Sequence, residues 1–278
     1  MAPLAAVRPV CFTEYFRMLA SLTPAVQAAI LDMDGVLWKD KQPLINLKEA
    51  FERFDSLGIR VVLATNNSSR TVKEYQEKIA AMGAQVAEEQ IVTSSMAAAH
   101  VLHQRFPQGG PVYILGAASL HQALEQAGFF HAEENILAVV SGLDRTFTFD
   151  KLARATRLIR QGAFFMGTNP DTTFPPPNGL GPGAGSILAA IQTASEQTAV
   201  IAGKPSPTLY QMAMQRLGVS PQQTVSIGDR METDILGGIR AGCRTALVLS
   251  GVTSRQTLQA CDYQPDLVAE DLIHLLSA

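Results

Sequence analysis

The stretch Ile30-Leu31-Asp32-Met33-Asp34-Gly35-Val36 decides the fold of this chain. It continues an apolar run that begins at Ala28 and ends in two aspartates and a glycine turn, a pattern that indicates a buried strand of a parallel sheet. The chain leaves the strand at the aspartates, so both carboxylates lie at the carboxyl edge of the sheet, where open α/β sheets bind ligands. Because two close carboxylates repel each other, the pair points to a bound cation, and a metal ion is the first candidate.

Strands and helices alternate on both sides of this stretch. Apolar residues at helical spacing follow Asn46 and again follow Thr71, and Gly58 and Gly83 close the two predicted helices. Short runs rich in apolar residues supply further strands, at 59–64, 199–202, 224–227 and 245–249. Repeated strand–helix units predict a parallel sheet with right-handed crossovers.

The middle of the chain carries a second pattern of the same kind. It contains three predicted strands, at 112–115, 137–141 and 164–167, and it closes with a segment rich in proline and glycine, 169–185. The sequence therefore predicts an α/β fold, with a Rossmann-like parallel-sheet core and an inserted α/β domain. The predicted limits are an N-terminal extension over 1–26, a core over 27–99 and 199–278, and an inserted domain over 100–198.

Composition and charge narrow the class of protein. Hydrophobic residues make up 47% and charged residues 17% of the 278, as in an ordinary globular protein. The formal net charge of −3 argues against a nucleic-acid partner, which needs a basic stripe. Cys11, Cys243 and Cys261 are too scattered for a disulfide framework and predict a reducing, cytoplasmic location. No apolar stretch reaches the roughly 18 residues of a membrane span, so no membrane partner is expected.

The N-terminal segment is not typical of a signal peptide. Arg8, Glu14 and Arg17 interrupt its apolar residues. We expect a short helix or a disordered extension. Met18 stands close before the first strand and is an alternative start of translation, which the N-terminal mass of the native protein would distinguish from Met1.

Polar residues follow four predicted strands of the core. These are Asp32 and Asp34 after the first strand, Thr65 and Asn66 after the second, Lys204 after the third, and Asp229 and Asp234 after the fourth. Parallel strands bring such residues to one edge of the sheet. Carboxylate and carbonyl oxygens suit a hard divalent ion, whereas hydroxyl, amide and ammonium groups bind phosphoryl oxygens. This edge therefore predicts a phosphate site with a metal ion.

The four segments resemble the motifs of the haloacid dehalogenase superfamily of phosphohydrolases. The corresponding residues are Asp32-Met33-Asp34-Gly35-Val36, the strand ending at Thr65, the lysine of Gly203-Lys204-Pro205, and Gly228-Asp229-Arg230-Met231-Glu232-Thr233-Asp234. Only 31 positions separate Asp34 from Thr65, whereas 139 separate Thr65 from Lys204. The resemblance therefore implies a cap domain of the C2 type, inserted in the longer interval.

Three further segments resemble one branch of that superfamily, the NagD and p-nitrophenyl phosphatases. They are Thr65-Asn66-Asn67-Ser68, Pro182-Gly183-Ala184-Gly185 and Gly203-Lys204-Pro205-Ser206-Pro207. The branch also contains pyridoxal phosphatase and phosphoglycolate phosphatase. The resemblance covers residues 27–278.

The resemblance implies a role for each motif residue. Asp32 attacks phosphorus and forms an aspartyl-phosphate, while Asp34 protonates the leaving oxygen and then activates water. Mg²⁺ is held by the Asp32 side chain, the Asp34 backbone carbonyl and Asp229. The remaining residues act around the phosphoryl group: Thr65, Asn66 and Asn67 hold it, Lys204 neutralises its charge, and Asp234 positions Lys204 or a metal-bound water.

Three residues keep two interpretations each. Asp234 either positions Lys204 or begins the helix that follows. Trp38 either gates the site as part of a mobile hairpin or belongs to the core. Asp171, in the loop that closes the inserted domain, either shapes that loop or selects the substrate, and the resemblance favours selection.

The predicted function is Mg²⁺-dependent hydrolysis of a small phosphomonoester. Asp34 can supply the proton that an alkoxide leaving group needs and a halide does not, which favours phosphate chemistry over dehalogenation. Two alternatives stay open: phosphoryl transfer to an acceptor other than water, as in a phosphomutase, and a non-catalytic binding module. Nucleotides, pyridoxal phosphate, phosphoglycolate and sugar phosphates all remain candidate substrates. A homodimer through the cap is one assembly that the resemblance allows.

Overall fold

A computed structural model of the protein describes residues 19–23, 25–174 and 181–277. Cys11, Met18 and most of the predicted extension lie outside these described residues. The described end of the extension contains a short 3₁₀ helix, Leu19–Ser21, in which Leu19 is buried against the core. Within the described residues, no helix is both long enough and apolar enough to cross a membrane.

Fifteen strands are described. In chain order they are β1 (Ala28–Leu31), β2 (Trp38–Lys39), β3 (Gln42–Pro43), β4 (Arg60–Thr65), β5 (Ile91–Thr93), β6 (Gly110–Leu115), β7 (Phe129–His131), β8 (Ala138–Ser141), β9 (Phe164–Gly167), β10 (Thr173–Phe174), β11 (Gly181–Pro182), β12 (Val200–Ile201), β13 (Thr224–Gly228), β14 (Arg244–Val248) and β15 (Leu267–Ala269).

The described helices connect these strands. In chain order they are α1 (Leu47–Ser56), α2 (Val72–Ala81), α3 (Ser94–Arg105), α4 (Ala118–Gln126), α5 (Phe149–Arg160), α6 (Ala184–Ser195), α7 (Thr208–Leu217), α8 (Leu236–Ala241), α9 (Arg255–Ala260) and α10 (Leu272–Leu275).

The strand that precedes the aspartate pair lies in the middle of a six-stranded parallel sheet. The strand order is β15-β14-β13-β1-β4-β5. Leu31, the last residue of β1, stands opposite Ile227 of β13 and Leu63 of β4. All four residues of β1 are buried, as expected for a strand covered on both faces. Asp32 therefore leaves the sheet between the ends of two neighbouring strands.

The middle of the chain builds a second, five-stranded parallel sheet in the order β12-β9-β8-β6-β7. The three strands predicted there are present as β6, β8 and β9. The predicted fold class, an α/β core with an inserted α/β domain, is confirmed.

The strand before Lys204 belongs to this second sheet, which corrects the prediction that it is a strand of the core. In β12, Val200 pairs with Met166 and Ile201 pairs with Gly167 of β9. Lys204 therefore follows the last strand of the inserted domain. The other predicted boundary, at residues 99 and 100, falls inside α3, which contacts both α4 and α7. The domain limits stay a prediction.

Local hydrogen bonds fix the loop that carries Thr65 and its neighbours. At the start of α2, Glu74 N donates to Thr71 Oγ1 at 3.2 Å and Thr71 N donates to a Glu74 carboxylate oxygen at 2.6 Å. This reciprocal capping box satisfies two backbone donors that the helix leaves unpaired. It ends the loop between β4 and α2 at a defined place.

Apolar side chains cover both faces of the six-stranded sheet. Leu31 and Leu63 belong to a cluster on one face, whereas Ile30 and Val62 point to the other. The second cluster continues into the inserted domain through Ile114 and neighbouring residues. The two sheets thus share apolar packing. Residues that follow strands of both sheets, such as Asp32 after β1 and Asn169 after β9, line a cavity at the carboxyl ends of the core strands.

Candidate active site

The carboxyl ends of the central strands open into a cavity of about 320 Å³. Every site residue predicted from the motifs lines it: Asp32, Asp34, Thr65, Asn66, Asn67, Asp171, Lys204, Asp229 and Asp234. The structure therefore brings the whole predicted set to one place. The chemical role of each residue stays a prediction.

Lys204 lies between two carboxylates. Its Nζ donates to Asp32 Oδ1 at 2.7 Å and to Asp234 Oδ1 at 2.7 Å. Burial alone lowers the pKa of the Lys204 ammonium, but Asp234 and Asp32 outweigh burial and raise that pKa well above its ordinary value. Burial also raises the pKa of Asp32, against the effect of Lys204 and together with repulsion from Asp234 and Asp229. One ammonium faces three carboxylates, so a further cation is needed to keep all three ionised.

Asp229 has one carboxylate oxygen engaged and one free. Val252 N donates to Oδ2 at 2.7 Å, whereas the buried Oδ1 has no hydrogen-bond partner among the described residues. Burial, followed by repulsion from Asp234, raises the pKa of Asp229 from 3.8 to about 7. A buried oxygen without a partner is costly unless it ligates a cation.

The donor set around Asp229 fits a hard divalent ion. Asp32, Asp229 and Asp234 each place one carboxylate oxygen within 4.8 Å of the others. Oxygen-only ligands of this kind suit Mg²⁺ or Ca²⁺ better than the softer transition metals. The described residues therefore fit the predicted metal ion.

Two glycines allow the backbone to approach the Asp229 carboxylate closely. Gly35, with φ +90°, would carry a Cβ 2.4 Å from Asp229 Oδ2, and a Cβ at Gly251 would lie 1.9 Å from the same atom. Neither distance is sterically allowed, so both positions require glycine. Gly35 belongs to the opening motif, but Gly251 lies in a loop that the sequence does not single out.

A π-helical turn over Met231–Ile235 aims Asp234 into the site. Ile235 N donates to Arg230 O at 3.2 Å, five residues back. Asp234 Oδ2 accepts from Arg230 N at 3.1 Å, and Oδ1 accepts from Lys204. Turns of this type are frequent at functional sites. Of the two interpretations of Asp234, the contact with Lys204 is present.

The Asn66 side chain joins the core to the inserted domain. Its Oδ1 accepts from Lys204 N at 2.7 Å, and its Nδ2 donates to Lys204 O at 3.1 Å and to Asp171 Oδ1 at 3.2 Å. Both ends of the amide are thus already engaged. The side chain of Asn66 holds Lys204 and Asp171 in place, whereas the prediction had it reach the phosphoryl group.

Of the two residues beside Asn66, Thr65 can still donate a hydrogen bond into the cavity, whereas the Asn67 side chain is bound within its own turn. Asn67 N donates to Thr65 Oγ1 at 3.1 Å, so the hydroxyl proton of Thr65 remains available to a phosphoryl oxygen. Asn67 Oδ1 accepts from Ser69 N at 2.9 Å and from Ser69 Oγ at 2.7 Å. The Asn67 side chain therefore stabilises the loop.

Asp34 is held by the indole of Trp38. Trp38 Nε1 donates to Asp34 Oδ1 at 2.7 Å, and the Trp38 side chain is fully buried. Of the two interpretations of Trp38, the buried position agrees with the core. The contact with Asp34 adds a role at the site that neither interpretation contained.

Two models of known protein families match this chain, one in its N-terminal half and one near its C-terminus. A model described as haloacid dehalogenase-like hydrolase matches residues 29–130, and one described as HAD-hydrolase-like matches residues 201–275. The 5′-nucleotidase YutF of Bacillus subtilis (strain 168) is 36% identical over 228 residues, which are 82% of this chain and 88% of that protein. The chain belongs to the haloacid dehalogenase-like hydrolase family. The acid sugar phosphatase of Staphylococcus aureus (strain USA300) is 33% identical to this hydrolase over 247 residues, 88% of this chain and 95% of that protein.

Solved structures of phosphatases resemble the hydrolase along most of its length. The 4-nitrophenylphosphatase of Thermotoga maritima has a TM-score of 0.86 at 35% identity and covers 91% of this chain and 97% of its own. NagD from E. coli K-12 has a TM-score of 0.82 at 32% identity, and the match covers 89% of this chain and 97% of NagD. A glycerol phosphate phosphatase of Mycobacterium tuberculosis in complex with magnesium has a TM-score of 0.83 at 31% identity, and the match covers 90% of this chain and 76% of that phosphatase. The predicted resemblance to the NagD and p-nitrophenyl phosphatases is confirmed, and the hydrolase is an enzyme that acts on phosphoric monoesters.

Several contacts of the hydrolase have no signal in its sequence. Val252 binds Asp229 through its backbone, which any residue type could do. Asn169 donates to Asn66 O at 2.7 Å from the inserted domain. Lys78 of α2 places its Nζ 3.9 Å from the centre of the Trp38 ring. The single tryptophan beside the aspartate motif is the one sequence feature that could have indicated such a contact.

Proposed function

We propose that this hydrolase removes phosphate from a small-molecule phosphomonoester in a Mg²⁺-dependent reaction that passes through an aspartyl-phosphate. The observation that carries the proposal is the position of Lys204, whose Nζ lies 2.7 Å from Asp32 Oδ1 where both residues line the cavity. A fixed ammonium beside a carboxylate can attract a phosphate dianion toward a nucleophile that would otherwise repel it.

The metal ion would be held by the Asp32 side chain, the Asp34 backbone carbonyl and Asp229. The free Oδ1 of Asp229 supports this assignment. Both oxygens of Asp234 already accept hydrogen bonds, so we propose that Asp234 positions Lys204. When bound, Mg²⁺ would neutralise charge on the phosphoryl oxygens and on Asp32.

In the first step, an oxygen of Asp32 forms a bond to phosphorus and the bond from phosphorus to the leaving oxygen breaks. The Asp34 carboxyl gives its proton to that oxygen, so the product leaves as an alcohol. Lys204 stays protonated and balances the charge of the transferring group. The Thr65 hydroxyl donates to one of its oxygens.

In the second step, a water molecule attacks phosphorus of the aspartyl-phosphate. Asp34, now ionised, accepts a proton from the water, the bond from phosphorus to Asp32 breaks, and inorganic phosphate leaves. Asp32 is regenerated as a carboxylate beside Lys204. Asp34 is again protonated for the next turnover.

A small phosphorylated metabolite fits the cavity, whose volume is about 320 Å³. We propose that loop residues of the inserted domain choose it, with Asp171 as one contact. Burial raises the pKa of Asp171, while its hydrogen bond from Asn66 opposes this shift. The relatives named above are a 5′-nucleotidase, an acid sugar phosphatase and a glycerol phosphate phosphatase, which supports a panel of nucleotides, sugar phosphates and glycerol phosphate.

The test is phosphate release from that panel with and without Mg²⁺. We expect turnover of at least one substrate in the presence of Mg²⁺. A chelator should abolish this turnover, and added Mg²⁺ should restore it. The Asp32→Asn variant should lose turnover, whereas Asp55→Asn, on the exposed face of α1, should keep it. After acid quenching, the wild type should carry one additional phosphoryl group on Asp32, detectable by mass spectrometry. Full activity in Asp32→Asn would contradict the mechanism, and transfer of the phosphoryl group to an added sugar would indicate a phosphotransferase.

We also propose a cytoplasmic enzyme that forms a homodimer through its inserted domain. Cys243 and Cys261 are free thiols, which supports a reducing compartment. Sedimentation analysis of the intact chain would show twice the monomer mass. A monomer at micromolar concentration would contradict the dimer.

A further inference from the structure

The Asp34 carboxylate is fixed by one side chain of the hairpin that follows it. Trp38 begins β2, and β2 pairs with β3 so that Trp38 lies opposite Pro43. Gly35 N donates to Trp38 O at 2.8 Å, and Trp38 Nε1 donates to Asp34 Oδ1 at 2.7 Å. Backbone and side chain of Trp38 thus both bind the turn that carries Asp34.

The hairpin is in turn held by α2. Lys78 Nζ lies 3.9 Å from the centre of the Trp38 ring and donates to Asp40 O at 2.8 Å. A cation over the face of an indole is attracted by its π-electrons. The same charge draws electron density from the ring and makes its N–H a better donor to a carboxylate. Lys78 therefore strengthens the contact between Trp38 and Asp34 while it fixes the ring.

We propose that Trp38 is a positioning residue for proton transfer at the active site. Its N–H donates a hydrogen bond to Asp34 Oδ1. The other oxygen, Oδ2, is then the one that carries the proton that passes to the leaving oxygen. In that step the bond from Oδ2 to hydrogen breaks, the bond from hydrogen to the leaving oxygen forms, and the indole keeps its own proton. The inference rests on the proposed phosphatase mechanism and adds a residue to it.

A positioning role of this kind predicts a dependence on the leaving group. An alkyl phosphate such as glycerol phosphate needs a proton at the leaving oxygen as the bond breaks, because an alkoxide is a poor leaving group. p-Nitrophenyl phosphate leaves as a stabilised phenolate and needs that proton far less. A defect in the orientation of Asp34 should therefore slow phosphoryl transfer from an alkyl phosphate more than from p-nitrophenyl phosphate. General damage to the fold should slow both equally.

Trp38→Phe keeps an aromatic ring above Lys78 and removes the N–H donor. We expect kcat/KM for glycerol phosphate, which reports the steps up to formation of the aspartyl-phosphate, to fall about 100-fold, since a positioned general acid typically contributes about 10²–10⁴. We expect kcat/KM for p-nitrophenyl phosphate to change less than about 3-fold, with a thermal midpoint close to that of the wild type. Leu143→Ala serves as the control, because Leu143 is an apolar residue of the inserted domain that lines the cavity. It should affect KM for both substrates without a difference between the alkyl and the p-nitrophenyl ester.

A second experiment does not depend on the folding of that variant. Trp38 is the only tryptophan in the chain, so growth on benzothienylalanine replaces its N–H by sulfur and changes no other residue type. The labelled enzyme should show the same contrast between the two substrates. Equal losses of kcat/KM on both substrates, or no loss on either, would overturn the role of Trp38. Absence of wild-type activity toward both esters would instead overturn the phosphatase proposal on which this role depends.

Discussion

Lys204 and Asp234 form an ion pair inside the protein: Nζ and Oδ1 lie 2.7 Å apart, and each side chain is only 3% exposed. Loss of one member leaves the other charge buried and less compensated. We therefore expect Lys204→Met, which leaves the buried Asp234 carboxylate without its cation, to lower the free energy of unfolding by about 3–5 kcal/mol, the usual cost of breaking a buried pair. Urea unfolding followed by circular dichroism measures this change.

The exposed pair of α1 provides the matched control. Arg53 Nη2 lies 2.6 Å from a Glu49 oxygen, with the two side chains 36% and 45% exposed. Glu49→Gln should cost less than about 1 kcal/mol, because solvent screens such pairs. Similar losses in both variants would show that burial does not strengthen the pair at Lys204.

The position of the site could be predicted because each motif follows its own strand. Asp32, Thr65 and Asp229 needed only the rule that parallel strands end at a common edge. The sheet that a short strand joins could not be predicted in this way, because a short β-branched run is compatible with any buried sheet. For this reason β12 was assigned to the wrong sheet, and the three-residue edge strand β5 was not predicted at all.

The hydrogen bonds within the site could not be predicted, since they join residues far apart in the chain. Asn66 meets Lys204 across 138 positions and Asp171 across 105. An asparagine after a strand has the same sequence signal whether its amide binds a ligand or another backbone. Only the packing of the inserted domain against the core decides between these outcomes.

The bridge made by Asn66 can be tested by its removal. Asn66→Ala leaves Lys204 N without its acceptor in a buried place, which should cost about 1–3 kcal/mol. It also frees Asp171 from its donor, so we expect lower kcat and a changed preference among substrates. Asn67→Ala, which loses only bonds within its own turn, should retain the wild-type preference. Identical substrate profiles for Asn66→Ala and the wild type would contradict a bridge between the site and the inserted domain.

The close approach of Gly251 to Asp229 gives a prediction about metal affinity. A methyl group in Gly251→Ala would collide with Asp229 Oδ2, to which the Cβ distance is 1.9 Å. We expect the Mg²⁺ concentration for half-maximal activity to rise about 10–100-fold, as for the loss of other groups that orient ligands. Gly58→Ala is the control, because its φ of +67° is strained but nothing lies within 4 Å of the added Cβ. It should lower stability and leave Mg²⁺ activation unchanged.

The buried Asp229 carboxyl links stability to pH and to the metal ion. Burial raises its pKa from 3.8 to about 7, so the folded protein without metal binds this proton more tightly than the unfolded chain does. Stability contributed by this group is therefore full below pH 4, falls between pH 4 and pH 7, and is lost above pH 7. A divalent cation removes the cost of ionisation but competes with the proton. We expect Mg²⁺ to raise the thermal midpoint more at pH 8 than at pH 5, as differential scanning fluorimetry can measure. Asp229→Asn should lose most of this difference, and an equal Mg²⁺ effect at both pH values in the wild type would exclude Asp229 as a ligand that must ionise.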